Sequence, residues 1–369
     1  MFPVIENKKQ DGDNLRFTLK GANVSLANAI RRTILSDIPC VVIKTTPYEE
    51  NRVTIHTNTS HLNNEILKQR LSCIPVHLFD FKTPLDSFKV ECNVENKTDT
   101  IMYVTTKDFH IQGLSEEETR KIFPPNDYTK CFIDILRLKP RFSEDIPGEK
   151  IHFSFTLTTG TAKESGMYNV ASTCSYQFTP NEALMNEQLS LKQQTWKDEG
   201  MTEKELRFES ENWKLLEGRR LVVKDSFDFV IQSVFQASSG MFTNEYLVAE
   251  ACMIIMKKLV ALNDTIDKEE LVVSSSLTTI QNCYDIDLES EDYTIGKILE
   301  YAMYSKFYEG VASLSFCGFV KMHPHDDGSL LRIAYKEPTD KSILLEDLKK
   351  CISDLLMFYS TVKKAFDEK

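Results

Sequence analysis

Asn23–Ile43 reads NVSLANAIRRTILSDIPCVVI, a short helix running straight into a strand, and the rest of the chain is organised around it. Asn23 and Ser25 are both candidate N-caps, each with a side-chain oxygen for the free amides of a first turn. Leu26, Ala29, Ile30, Thr33 and Ile34 recur at helical spacing and make one face core, while Asn28, Arg31, Arg32 and Asp37 fall mostly outside that stripe. Pro39 ends the helix, because the residue before a proline leaves the α region, and Val41, Val42 and Ile43 then read as a buried strand. Arg31 and Arg32 sit mid-helix beside an apolar face rather than in a charge run. They read either as a solvated flank or as a docking surface for a carboxylate-bearing partner, since arginine suits planar, partly buried pairing.

The 369 residues are 41% hydrophobic and 27% charged, ordinary for a globular protein of two or three domains. No apolar run reaches the length of a membrane span, and MFPVIENKKQ lacks a basic stretch followed by an apolar one, so a soluble intracellular chain is expected. With 44 basic against 55 acidic residues the net charge is −11. Such a surface does not hold phosphate backbones unaided, so any nucleic-acid role is indirect. The nine cysteines include no C-x-x-C pair and are spread evenly, which points to small buried thiols in a reducing compartment and not to a zinc site.

Leu15–Leu19 alternates as a first strand, and Asp11-Gly12-Asp13 before it reads as a polar hairpin-type turn, since D-G is a common turn signal. From Tyr48 to about Pro180 short alternating runs (Val53–Ile55, Phe88–Val94, Ile101–Thr105, Ile151–Leu157, Ser172–Phe178) suggest a mainly β domain. One helix interrupts it, capped at Asn63-Asn64-Glu65 and ended by Pro75. Residues 181–218 are polar and helix-prone, an exposed arm in which Trp196 and Trp213 are either interface anchors or a small local cluster. A strand returns at Ser226, followed by a helix from about Thr243 to Leu262 and a charged linker, Asn263–Glu270.

Lifting out the β domain exposes an internal repeat: strand, capped helix, strand, then strand and long helix, at 15–46 plus 226–262 and again at 284–366. In the last helix Leu345, Leu348, Ile352, Leu355, Tyr359, Val362 and Phe366 alternate steps of three and four, with Leu344, Cys351 and Phe358 widening the stripe. That is too much apolar face for one small sheet, and the helix carrying Leu247, Ile254 and Ile255 is its expected partner. The fold class is therefore α+β: two dimerisation units of sheet plus helices forming an intramolecular pseudo-dimer, with a mainly β domain inserted in the first. The expected boundaries are 1–46 with 223–264, then 47–222 for the insertion and its arm, then 271–369.

Ser25 to Arg32 with Ile38-Pro39, Asn58-Thr59-Ser60 with Glu65, Arg70-Leu71 and Ile74-Pro75, Asp99 with Tyr103-Val104-Thr105 and Lys107-Asp108, and Phe227-Asp228-Phe229 with Ile231 and Ser233 together resemble the α-type assembly subunits of multisubunit DNA-dependent RNA polymerases. The first part is similar to the bacterial α amino-terminal domain and its archaeal D and eukaryotic third-subunit relatives. Glu291-Asp292 with Thr294, Gly296 and Leu299, then Phe316, Gly318-Phe319 and His323-Pro324, resemble the smaller archaeal L-type partner. One polypeptide holding both partners resembles the fused form of large cytoplasmic DNA viruses. The resemblance implies a non-catalytic platform for the two large subunits, with small accessory subunits also bound, DNA met only indirectly, no membrane, and an internal pseudo-dimer in place of a homodimer. It implies host cytoplasm and virion for a viral source, and the nucleus otherwise. It places Asn28, Arg31, Arg32, Glu65 and Arg70 at the large-subunit interface. The internal seam would hold Leu247, Ile254, Ile255, Leu348, Ile352, Leu355, Tyr359 and Val362. Some relatives carry a cysteine-rich metal insertion, but no ligand spacing here supports one, so no cofactor or metal is expected.

The competing reading is a metal-dependent hydrolase built on Asp11 and Asp13 or on His323 and Asp327. A hairpin turn with exposed imidazoles explains the latter cluster, since no third ligand lies at a suitable spacing. No phosphate loop, nucleophile elbow or H-E-x-x-H is present.

Overall fold

The hairpin-type turn expected at Asp11-Gly12-Asp13 is present, and the strand before it is one that periodicity does not announce. β1 (Val4–Asp11) and β2 (Asn14–Lys20) pair antiparallel across Gly12, whose φ of +59° is a left-handed turn conformation that costs glycine nothing. β1 is an edge strand with mostly exposed side chains, so it carries no apolar alternation to read. α1 (Val24–Ser36) starts where Asn23 Oδ1 accepts the Ser25 amide at 2.9 Å, and β3 (Cys40–Val42) is buried throughout. Then come β4 (Val53–Asn58), α2 (Asn64–Ser72), β5 (Lys89–Glu95), β6 (Met102–Thr105), β7 (His110–Ile111), α3 (Glu116–Ile122), β8 (Asp134–Leu138), β9 (Lys150–Thr156), β10 (Thr158–Gly160) and β11 (Ala171–Pro180). The polar stretch folds as α4 (Glu182–Asp198) and α5 (Glu203–Leu215), and β12 (Val222–Ser233) returns. α6 (Asn244–Asp267), β13 (Val273–Ser275), β14 (Cys283–Glu289), α7 (Tyr293–Met303), β15 (Leu314–Val320), β16 (Gly328–Tyr335) and α8 (Lys341–Asp367) follow. This computed structural model describes residues 2–78, 84–143, 147–235, 240 and 242–367. The described residues form a mixed α+β protein with several sheets.

Compactness divides the chain into two units, and the division cuts across the boundaries expected from sequence. One unit is Thr33–Thr173 with Gln232–Ala251. It holds the sheet β4-β9-β5-β7 and the ribbons β6-β8 and β10-β3. Its core gathers Leu67 and Leu71 of α2, Ile122 of α3 and the inward-facing Val90, Cys92, Phe153 and Phe155. Phe109 crosses Phe123 edge-on at 5.0 Å within it. α3 and β8 went unread, because α3 rests on the Ser115–Glu118 capping box rather than on a long apolar stripe.

The other unit is Met1–Arg32, Cys174–Ile231 and Cys252–Lys369. Its two sheets are β1-β2-β12-β11 and β13-β14-β16-β15, so β11, grouped by sequence with the inserted strands, belongs beside the returning β12. The expected linker is also different: α6 continues to Asp267, with Ile266 only 4% exposed, because one buried apolar side chain on the helix face keeps the charged stretch wound. In the arm, Trp213 is buried against Gly218, which favours the local cluster over an exposed anchor, while Trp196 is half-buried. All nine thiols are free, and Cys73 and Cys131 are exposed where buried thiols were expected.

α8 follows the expected stripe closely. Leu344, Leu348, Cys351, Ile352, Leu355, Phe358, Tyr359, Val362 and Phe366 are buried, and Leu345 lies at the margin. Phe366 meets Phe17 of β2 edge-on at 4.9 Å, and Phe17 stacks on Phe229 of β12 at 4.9 Å. The fully buried Tyr359 hydroxyl donates to the Leu26 carbonyl of α1 at 3.3 Å. Lys349 of α8 also donates to Asp267 of α6.

Gly296 on α7 shows how tightly this unit is packed, since a Cβ there would lie 2.1 Å from the Phe319 ring of β15. Gly296→Ala should therefore cost about 1–3 kcal/mol through overpacking. Gly166→Ala, with open space around it, should leave the denaturation midpoint nearly unchanged. Equal midpoints in a urea titration would contradict this packing.

Candidate subunit interface

The expected interface residues divide between the two units, with Asn28, Arg31 and Arg32 in one and Glu65 and Arg70 in the other. On α1 the two arginines have different surroundings. Arg31 is half-buried and its Nε donates to Asn28 Oδ1 at 3.0 Å, one helical turn back. Its positive charge lowers the proton affinity of Cys174 and Tyr176 on β11, although burial outweighs it and pushes both groups up. Among the described residues no carboxylate pairs with Arg31.

Arg32 pairs within the chain instead. Its Nη2 lies 2.9 Å from Asp292 Oδ2 and its Nε donates to Thr294 Oγ1 at 2.9 Å. Asp292 is the N-cap of α7, its other oxygen accepting the Thr294 amide at 2.7 Å. Arg32 thus ties α1 to the first turn of α7, so two arginines that read alike in the sequence have different partners. Stripe position did not distinguish them, because the partner lies 260 residues away.

Glu65 is exposed in the first turn of α2, where its charge favours the helix N-terminus. Arg70, in the last turn, donates from Nε to the Ile135 carbonyl and from Nη2 to the Asp134 carbonyl, both at 2.8 Å, so it braces α2 on β8. Of the expected seam residues, Leu247, Ile255, Leu348, Ile352, Leu355, Tyr359 and Val362 are buried and Ile254 is half-buried. Sequence reading passed over Asp347 of α8, which is 5% exposed and accepts from the Tyr335 hydroxyl at 3.1 Å and from Lys350 at 3.0 Å. Its place on the apolar side of α8 was the available signal.

Neither hydrolase constellation draws support from the geometry. Asp11 and Asp13 bound the β1–β2 turn, with Asp11 3.4 Å from Arg16. His323 and His325 are exposed with ring centroids 5.2 Å apart. Among the described residues no group of three or more His, Cys, Asp or Glu side chains is placed to hold a metal ion. No described helix is long and apolar enough to cross a membrane.

The Asp292 tie has a pH signature. Partial burial raises the carboxyl's pKa, but the Thr294 hydroxyl and amide and the Arg32 guanidinium outweigh this and hold it below its ordinary value. The folded value lies below the unfolded one of about 3.9. Its contribution is therefore complete above that pH and lost as pH falls through the folded value. The stability difference between wild type and Asp292→Asn should be flat near neutrality and shrink in acid. A difference constant down to the acid limb would contradict the pairing.

The profile of the RNA polymerase Rpb3/Rpb11 dimerisation domain matches residues 16–259. Subunit RPAC1 of human DNA-directed RNA polymerases I and III is 24% identical over 198 residues, covering 47% of this chain and 54% of that protein. Subunit 3B of Arabidopsis thaliana RNA polymerases IV and V is 26% identical over 208 residues, 50% of this chain and 61% of that protein. Subunit Rpo3 of Pyrococcus furiosus is 36% identical over 88 residues, 24% of this chain and 28% of that protein. The chain spans about half the length of the first two relatives. The matched span runs from β2 through α1 and the returning β12 into α6, and on it the chain belongs to the RNA polymerase Rpb3/Rpb11 dimerisation domain family.

Proposed function

We propose that this protein is a non-catalytic structural subunit of a DNA-directed RNA polymerase, the platform on which the two large catalytic subunits assemble. We further propose that it carries both members of the dimerisation pair in one polypeptide, a D-like unit up to α6 and an L-like unit from residue 271, as in the fused form of large cytoplasmic DNA viruses. The family match supports the first statement. The observation that carries the second is the packing of α8 on the first repeat, with Phe366 on Phe17 and Tyr359 on Leu26. An L-like partner would occupy that position in trans; here it lies in the same chain. DNA is met through the assembled polymerase, since a net charge of −11 does not attract a phosphate backbone. Host cytoplasm and virion are the sites of action under the viral reading.

Asn28, Arg31 and the exposed Glu65 and Arg70 remain the groups offered to a large subunit, and Arg32, offered with them by the sequence, also ties α1 to α7. Arg31→Ala should leave the thermal midpoint nearly unchanged yet weaken binding of a large subunit. A carboxylate of the large subunit left buried without its guanidinium partner costs about 2–5 kcal/mol, or roughly thirty- to several-thousandfold in affinity. A pull-down of the two large subunits with wild-type and variant chain, with melts run alongside, measures this. Undiminished capture would remove Arg31 from the interface.

A further inference from the structure

We propose that a cleft between α2 and β8 receives one carboxylate side chain, Asp or Glu, from a protein partner. This deepens, and rests on, the assembly role proposed above. The cleft has a volume of about 270 Å³ and is lined by His61, Leu62, Arg70, Asp134, Ile135, Leu136 and Arg137. Arg70 is held by the carbonyls of Asp134 and Ile135, both at 2.8 Å, which fix its plane while leaving its charge uncompensated. Arg137 lies over an aromatic ring, its guanidinium carbon 4.9 Å from the centre of the Tyr103 ring. Both guanidiniums are exposed, as is His61. Among the described residues, no carboxylate lies within ion-pair distance of any of the three.

Two oriented, unpaired guanidiniums stand out in a chain that carries eleven more acidic than basic residues. A planar fork of N–H donors held in place matches a carboxylate and loses little entropy on pairing. The charge sum selects among anions. Arg70 and Arg137 bring two positive charges and Asp134 one negative, so the site is balanced by a single negative charge rather than by a dianionic phosphate. Leu62 and Leu136 supply an apolar wall for the methylene stem of the incoming side chain. Nothing in the spacing of His61, Arg70 and Arg137 along the sequence announces this site, because two of its walls come from a helix and a strand 65 residues apart.

The test places an amine in the cleft. The Arg137→Lys chain is assembled with the two large polymerase subunits, treated with a water-soluble carbodiimide, and digested for mass spectrometry. Carbodiimide joins an amine to a carboxylate in direct contact, so the expected product is an amide between position 137 and an Asp or Glu of another subunit. Amide formation only with Asp134, or none, in a complex that does assemble would overturn the proposal. Failure of the wild-type chain to assemble would instead count against the polymerase reading. In a second arm the isolated chain is titrated with inorganic phosphate while the Arg137 Nε–H resonance is followed. Millimolar or weaker binding is expected, and micromolar binding would reassign the cleft to a free anion.

Discussion

The apolar stripe of α8 carries more surface than its own sheet can cover, and much of this structure follows from where that stripe goes. Its first half closes on its own repeat, where Cys351 touches Met303 of α7 at 3.4 Å and Asp347 receives the Tyr335 hydroxyl. The second half, from Tyr359 to Phe366, is spent on β2 and α1. Each large apolar side chain so buried is worth about 1.5–3 kcal/mol relative to exposure. Left in water, this end of α8 would be an adhesive surface. The burial is non-directional and leaves orientation to polar contacts. Arg32 supplies one of these, since a guanidinium held by both a carboxylate and a hydroxyl has only one geometry to satisfy.

That division explains why two adjacent arginines on one helix differ. An α-helix rotates by about 100° per residue, so neighbours at 31 and 32 look in different directions. One contacts Asn28 on its own helix, and the other reaches the N-cap of α7. The assembly role proposed above would use both kinds of contact, internal ties and unpaired charges for a partner.

Much of the fold was legible in the sequence because its elements announce themselves by period. The Asn23 helix, the Asn63 and Asp292 caps, the strands at 226 and 284 and the α8 stripe all appear where apolar spacing put them. What escaped reading lacks that signal. β1 lies on an edge with polar side chains, α3 depends on a capping box, and the 263–267 stretch stays helical because of one buried isoleucine. The candidate site was legible only in part. Arg31 and Arg70 could be named, but the Asp292 partner of Arg32, and the gathering of Arg137 with Arg70, depend on contacts between residues far apart in sequence.

The account turns on a single chain serving as both halves of the dimerisation pair within a polymerase. Native mass spectrometry of the complex purified through a tagged copy of this chain tests that claim most directly. The predicted composition is one copy of the chain with one copy of each large subunit and no separate L-type partner. Two copies of the chain, or a distinct small dimerisation subunit bound beside it, would contradict the account.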